Sequence, residues 1–152
     1  MDIAGITLKN PVMPASGTFG SGQEYSGFVD LNRLGAVVTK GVSLVPWEGN
    51  PAPRIMETAR GMINAVGLQN PGIDVFIERD LPFLRQFGTK VIVNVCGSTV
   101  ADYLEAVERL AGQEIKKKAA QPVFMKLPPN VTDITEIAKA AEAGQRERMR
   151  SR

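Results

Sequence analysis

An apolar run that ends near a polar residue and hands over to a capped helix is the feature that most limits what this chain can fold into. Val91-Ile92-Val93-Asn94-Val95 reads as a buried strand, and Thr99 and Asp102 behind it have capping-box spacing. Val100, Tyr103, Leu104, Val107 and Leu110 then recur at helical intervals, which predicts a helix over 99–111. The unit returns at Val123-Phe124-Met125-Lys126-Leu127, followed by Pro128-Pro129 and a second capped helix. Asp133 and Glu136 open that helix, Ile134, Ile137, Ala138 and Ala141 line one face, and Gly144 stops it. Earlier, Val12-Met13-Pro14-Ala15 reads as a brief strand and Ala36-Val37-Val38-Thr39 as a β-branched one. Apolar strands alternating with helices mean a parallel α/β architecture. Ser16, Lys40, Asn94 and Lys126 then share the C-terminal end of a strand. That is where ligands bind, whether the sheet closes into a (β/α) barrel or stays open and doubly wound. Four such strands cannot close a barrel of eight.

The connections are uneven. Residues 2–10 predict a short strand pair around Ala4-Gly5. Ser16–Gly22 is glycine-rich, but its Gly-x-x-Gly-x-Gly spacing is neither the dinucleotide fingerprint nor a P-loop, and it reads as a plain flexible loop. Residues 23–34 suggest short helical turns. From Val42 to Asn70 the chain makes a long excursion through Pro46, Pro51 and Pro53, with Pro71 just beyond, so little of it can be regular helix. Connections of that length inside a compact domain are usually functional. Ile73, Phe76, Ile77 and Leu84 then suggest a helix interrupted by Pro82.

Composition excludes several chemistries. The chain has no histidine, which removes a Ser-His-Asp triad, a Cys-His pair and histidine-ligated metal sites. A general base must be Lys, Asp, Glu, Tyr or Cys. Cys96 is the single cysteine, so no intrachain disulfide can form. A net charge of +2 is too small to argue for nucleic acid, although Lys116-Lys117-Lys118 and the stretch from Arg146 to Arg152 concentrate positive charge. No apolar run approaches the roughly 20 residues that span a bilayer. The start, Met1-Asp2-Ile3-Ala4, lacks the basic region of a signal peptide. The expected compartment is the cytoplasm, without membrane attachment. At 152 residues the chain suits one domain with a real core.

The segment Gly61–Gly72, Gly-Met-Ile-Asn-Ala-Val-Gly-Leu-Gln-Asn-Pro-Gly, carries no charge yet holds two asparagines and a glutamine among apolar residues. It is too polar for a core strand. Glycine admits close backbone approach and amides offer donors and acceptors, so a planar heterocycle with imide and carboxylate groups would suit it. An ordinary turn-rich connection has the same composition.

Six stretches taken together are more specific. Asn10-Pro-Val-Met-Pro-Ala-Ser-Gly17, Val38-Thr-Lys-Gly41, Asn50-Pro-Ala-Pro-Arg54, Gly61–Gly72, Asn94-Val-Cys-Gly97 and Lys126-Leu-Pro-Pro-Asn130 occur in an order that resembles the catalytic subunit of class 1B dihydroorotate dehydrogenase. The resemblance implies a TIM barrel carrying FMN that oxidises dihydroorotate to orotate in de novo pyrimidine (UMP) synthesis. It also implies a partner subunit, with FAD and an iron–sulfur cluster, in a heterotetramer that passes electrons to NAD. It assigns Ala15, Ser16, Gly17, Lys40, Gly41, Asn94 and Lys126 to the flavin. It assigns Lys40, Asn64, Ala65, Val66, Gly67 and Leu68 to the substrate, with Asn64 the most specific contact. A cation such as Lys40 can balance negative charge on the flavin and on a substrate carboxylate. No metal site is implied. A related dihydropyrimidine dehydrogenase-type flavin domain shares part of this motif set.

The chain departs from that pattern in two places. The family's helix matching 99–111 leads to a strand ending in an Asn-x-Ser-Cys-Pro-Asn loop, whose cysteine is the base that dehydrogenation needs. Here Leu110-Ala-Gly-Gln-Glu114 runs directly into Ile115-Lys-Lys-Lys-Ala-Ala-Gln-Pro122, so about one β–loop–α unit, some 30 residues, is skipped. Cys96 lacks the Ser-Cys-Pro context and reads as a buried, inert thiol, so no catalytic residue is identified. Beyond Gly144 the tail 145–152 matches nothing in the family and reads as a disordered basic end. The expectation is therefore residues 1–144 as a partial FMN-binding barrel, with about four of eight parallel strands and a short N-terminal strand pair. A truncated or misassembled, non-catalytic remnant without the cysteine loop or FMN phosphate site is the competing reading.

Overall fold

The computed structural model describes residues 1–3, 5–115, 125–126, 135, 138–139 and 142. The chain opens with the expected antiparallel pair, β1 (Asp2–Ile3) and β2 (Ile6–Thr7). Ile6 and the following Leu8 are buried against Ala36, the first residue of the next strand. The pair thus covers one end of the main sheet and leaves the opposite end free.

Val12–Ala15 is extended but is not a strand, contrary to expectation. Pro11 and Pro14 have no N–H, and the Val12 N–H donates to the Asn10 side chain at 3.0 Å. One bond remains, from Gly35 N–H to the Val12 carbonyl at 3.0 Å. Ser16 therefore opens a helical turn, α1 (Ser16–Phe19), rather than closing a strand. The glycine-rich loop is also not the flexible segment expected. Phe19 is buried with Leu31, Leu34, Val37 and Leu84 and its ring stacks on Tyr25 at 4.9 Å, which pins the turn to the core. A 3₁₀ turn at Leu31–Arg33, capped by Asp30 through the Asn32 N–H, leads into β3 (Ala36–Val42), longer than the expected 36–39.

The excursion from Val42 to Asn70 contains regular structure that the prolines conceal. β4 (Ile55–Thr58) and β5 (Gly61–Asn64) form an antiparallel hairpin in which Met56 faces Ile63 and Glu57 faces Met62. The following helix is not broken by Pro82. Helical α2 (Ile73–Val75), a π turn over Phe76–Asp80 and α3 (Leu81–Leu84) follow one another without a gap. A wider turn ahead of Pro82 is a way to relieve the clash of its ring with the preceding turn, and its missing N–H needs no acceptor there.

β6 (Lys90–Val95) pairs parallel with β3, and β7 (Met125–Lys126) pairs parallel with β6, giving a three-stranded sheet in the order β3–β6–β7. α4 (Val100–Ile115) starts on the expected cap. Thr99 Oγ1 accepts from Asp102 N–H at 3.2 Å, while Asp102 Oδ2 accepts from Thr99 and Ser98 N–H at 3.0 and 2.7 Å. These bonds favour the ionised carboxyl and hold Asp102 below the usual carboxylate value. Tyr103, Ala106 and Leu110 of α4 meet Val42, Val95, Ile73, Phe76 and Leu81 in the main core, and Arg109 ion-pairs with Asp74. The rest of the expected 123–127 strand, most of the second helix, the junction after Ile115 and the tail lie outside the described residues.

Candidate functional site

The uncovered end of the sheet is shaped by an irregularity in β3. Val38 is opposite Ile92 and Gly41 is opposite Asn94, so Thr39 and Lys40 together face Val93 alone. One extra residue in one strand is a β-bulge, a device that re-aims a side chain. The Thr39 hydroxyl fills the broken ladder. It accepts from Asn94 N–H at 3.2 Å and donates to the Lys40 carbonyl at 3.0 Å. Beyond the bulge, Gly41 is tightly packed. A Cβ there would sit 3.0 Å from Cys96 Sγ and 3.9 Å from Asn94 Nδ2. Cys96 is buried, and burial pushes its thiol up to about 11 against the opposing pull of the Lys40 charge. A thiol that holds its proton so tightly is a poor base near neutrality.

Lys40 reaches a cavity of about 530 Å³ walled by α1 and its following turn, by Trp47 and Glu48, by Val66 and Gln69–Pro71, and by Arg79 and Asp80. Among the described residues the Lys40 ammonium has no hydrogen-bond or ion-pair partner. Arg79, by contrast, is held by Asp80 at 2.6 Å, and that bond raises its already high pKa. Lys40 is therefore the cation on this wall that can meet an anion without breaking a pair. Trp47, Pro46, Val66 and Pro71 supply apolar surface, and Ser16, Thr18, Gln23 and Gln69 supply uncharged polar groups. The volume and the mixture suit a planar, partly polar small molecule.

The amide-bearing segment is one arm of a two-armed platform. Asn50 N–H donates to the Val66 carbonyl at 3.0 Å and Asn50 Nδ2 to the Ala65 carbonyl at 2.8 Å. Arg54 Nη2 reaches Gln69 Oε1 at 2.7 Å. The arms touch so closely that a Cβ on Gly49 would lie 2.3 Å from the Val66 carbonyl oxygen and one on Gly67 would lie 2.9 Å from Asn50 N. Both residues have positive φ, where glycine is at home. Leu68 also has a positive φ of 55°, a conformation costly for a side-chain-bearing residue and common at ligand sites.

Asn70 anchors this platform, and the sequence reading passed it over for Asn64. The buried Asn70 Oδ1 accepts from Ser43 N–H at 3.3 Å and Gly72 N–H at 3.0 Å, and lies 2.8 Å from Ser43 Oγ. Its Nδ2 donates to the Leu68 carbonyl at 2.9 Å, and its backbone exchanges two 3.0 Å bonds with Trp47. Asn-Pro-Gly is an Asx-turn sequence, the signal that could have found it.

The cavity wall unites Ser16, Gly17, Lys40 and Val66 of the expected residues. Gly41 and Asn94 stand behind Lys40 on β3 and β6, and Lys126 enters as the register partner of Asn94. Ala15, Asn64, Ala65, Gly67 and Leu68 are exposed and are not on this wall. Trp47, Gln69, Arg79 and Asp80 line it without having been singled out. No cluster of His, Cys, Asp or Glu able to hold a metal occurs among the described residues.

The family model for dihydroorotate dehydrogenase matches residues 1–115. The chain is 61% identical to the dihydroorotate dehydrogenase B (NAD(+)) catalytic subunit of Lachnoclostridium phytofermentans, covering 93% of this chain and 58% of that protein. The chain belongs to the dihydroorotate dehydrogenase family. The subunit of the same name from Alkaliphilus metalliredigens is 52% identical over 95% of this chain and 59% of its own length. The chain thus spans a little under three-fifths of these relatives. The first match runs over 175 positions, yet 93% of 152 residues is about 141, so about 34 positions face no residue of this chain. A crystal structure of dihydroorotate dehydrogenase from Eimeria tenella in complex with ferulenol shares the fold, with a TM-score of 0.69 at 22% identity. It covers 96% of this chain and 43% of that one.

Proposed function

We propose that this chain is the flavin- and substrate-facing part of a dihydroorotate dehydrogenase catalytic subunit, built on an incomplete (β/α) barrel. Its relatives' whole-length activity would be oxidation of dihydroorotate to orotate in UMP synthesis. The observation that carries the reading is Lys40, a cation without a partner among the described residues, on the wall of a cavity sized for a small planar ligand.

The residues present fit the ring end of FMN, which when bound supplies the two-electron acceptor. Gly17 has open space where a side chain would begin, so backbone can lie close to a ring. Ser16 and Lys40 offer donors to an electron-rich edge, and Asn94 and Lys126 are register partners on the strands beyond β3. Lys40 shares the cavity wall with Val66, so a carboxylate in the substrate can meet its charge.

What the sequence does not supply is the cysteine loop that the resemblance assigns as the proton acceptor. Its one thiol is buried and holds its proton up to about pH 11, and no Asn-x-Ser-Cys-Pro-Asn stretch occurs in it. The chain itself therefore binds without turning over, which is the remnant reading narrowed to catalysis. The gap of about 34 positions has the size of one strand–loop–helix unit. The relatives' name, catalytic subunit, supports a partner subunit; FAD and an iron–sulfur cluster there, and a cytoplasmic location, follow from the same reading. No helix among the described residues is long and apolar enough to cross a membrane. Flavin and orotate titrations of wild type and Lys40→Ala test the proposal. Lys40→Ala should weaken both ligands together, and equal affinities would refute the assigned role.

A further inference from the structure

Thr39 is fully buried in β3, yet its hydroxyl is the group that joins the two strands at the bulge. At the bulge Thr39 Oγ1 accepts from Asn94 N–H at 3.2 Å. The same hydroxyl has its proton on the Lys40 carbonyl at 3.0 Å. One oxygen thus fixes the backbone of both Lys40 and Asn94, on neighbouring strands. A regular strand would send residues 39 and 40 to opposite faces with full ladder bonds. Here the extra residue places Lys40 on the cavity wall, and a side chain added at Gly41 behind it would start 3.0 Å from Cys96 Sγ, so there is little spare room beside the bulge.

We infer that Thr39 is a positioning residue, whose hydroxyl holds the β3–β6 bulge so that Lys40 and Asn94 present to a flavin and a carboxylate-bearing pyrimidine. The inference rests on the flavin reading given above. Valine has the shape of threonine without the oxygen, so Thr39→Val removes the acceptor from the half-buried Asn94 N–H and the donor from the Lys40 carbonyl. Thr39→Ser keeps the oxygen and removes a methyl group.

The test uses the full 152-residue chain, with FMN and orotate titrated separately by calorimetry and Asn94 amide exchange followed by NMR. Val37→Ala, at a fully buried site in the same strand, controls for lost stability. Thr39→Val should weaken FMN and orotate about ten-fold, the effect of one hydrogen bond's worth of misplacement. Its Asn94 amide should exchange faster, Thr39→Ser should restore most of the affinity, and Val37→Ala should melt earlier while binding as wild type does. Wild-type binding that Thr39→Val leaves unchanged overturns the inference and leaves the flavin reading intact. A wild-type chain that binds neither ligand overturns the flavin reading and this role with it. Equal loss in Thr39→Val and Val37→Ala reduces Thr39 to a structural residue and also overturns the inference.

Discussion

Asn70→Ala should be the most damaging single truncation in the platform. The wild-type side chain satisfies the buried N–H groups of Ser43 and Gly72 and the Leu68 carbonyl. Alanine satisfies none of them. A buried group left without its partner costs about 1–3 kcal/mol. Ser43 Oγ can fall back on the Val45 carbonyl, 2.6 Å away, so the penalty comes from the two N–H groups. Allowing for water at the exposed Leu68 side, the expected loss is about 3 kcal/mol, a large part of a domain's usual 5–15 kcal/mol. Urea unfolding monitored by Trp47, the one tryptophan, reports both global stability and the arm it is bonded to. Asn70→Asp keeps the Oδ1 acceptor, loses the Nδ2 donor to the Leu68 carbonyl, and should recover part of the loss. A loss below about 1 kcal/mol for Asn70→Ala, the worth of one ordinary hydrogen bond, would refute the claim that this amide organises the platform.

Two further outcomes follow from the Gly41–Cys96 contact. Gly41→Ala should cost about 1–3 kcal/mol by overpacking, and Cys96→Ala in the same chain should return part of it, giving a non-additive double-mutant cycle in chemical denaturation. The Cys96 thiol should resist alkylation at pH 8 in the native chain and react after unfolding. Its folded value lies near 11, above the ordinary 9. The native state therefore keeps a proton that the unfolded state gives up first. The thiol's contribution to stability is complete below pH 9 and is lost as pH rises through about 11, which an alkaline melting series reads.

The elements that were legible in the sequence are those with strong local signals. β6 and α4 combine a continuous apolar strand, a capping pair and helical periodicity, and all three survive in the structure, although of the strand expected to be buried only Val95 is, Val91–Asn94 being half-buried. Where tertiary contacts decide, the sequence misled. Phe19 turns a glycine-rich stretch into an anchored helical turn, since nothing local says that its ring lies against Leu31 and Val37. The hairpin was hidden because Ile55, Met56, Met62 and Ile63 put apolar residues on both faces, all four exposed, so the alternation that marks a strand is absent. Pro82 looked like a breaker because a π turn cannot be read from composition. In the site, Lys40 was visible from its place after a β-branched run. The bulge that aims it and the buried amide of Asn70 depend on pairings across 55 and 27 residues, and no local pattern encodes those.

On the proposed function, Lys40 centres a ligand-binding wall, and without the family's cysteine loop the chain should not turn over dihydroorotate. The most direct measurement is made on the purified 152-residue chain supplied with FMN: orotate binding by titration, alongside dihydroorotate-dependent reduction of a dye. The account predicts saturable orotate binding that weakens in Lys40→Ala, with no dye reduction above the protein-free rate. Sustained turnover by this chain would contradict it, as would orotate binding that is indifferent to Lys40.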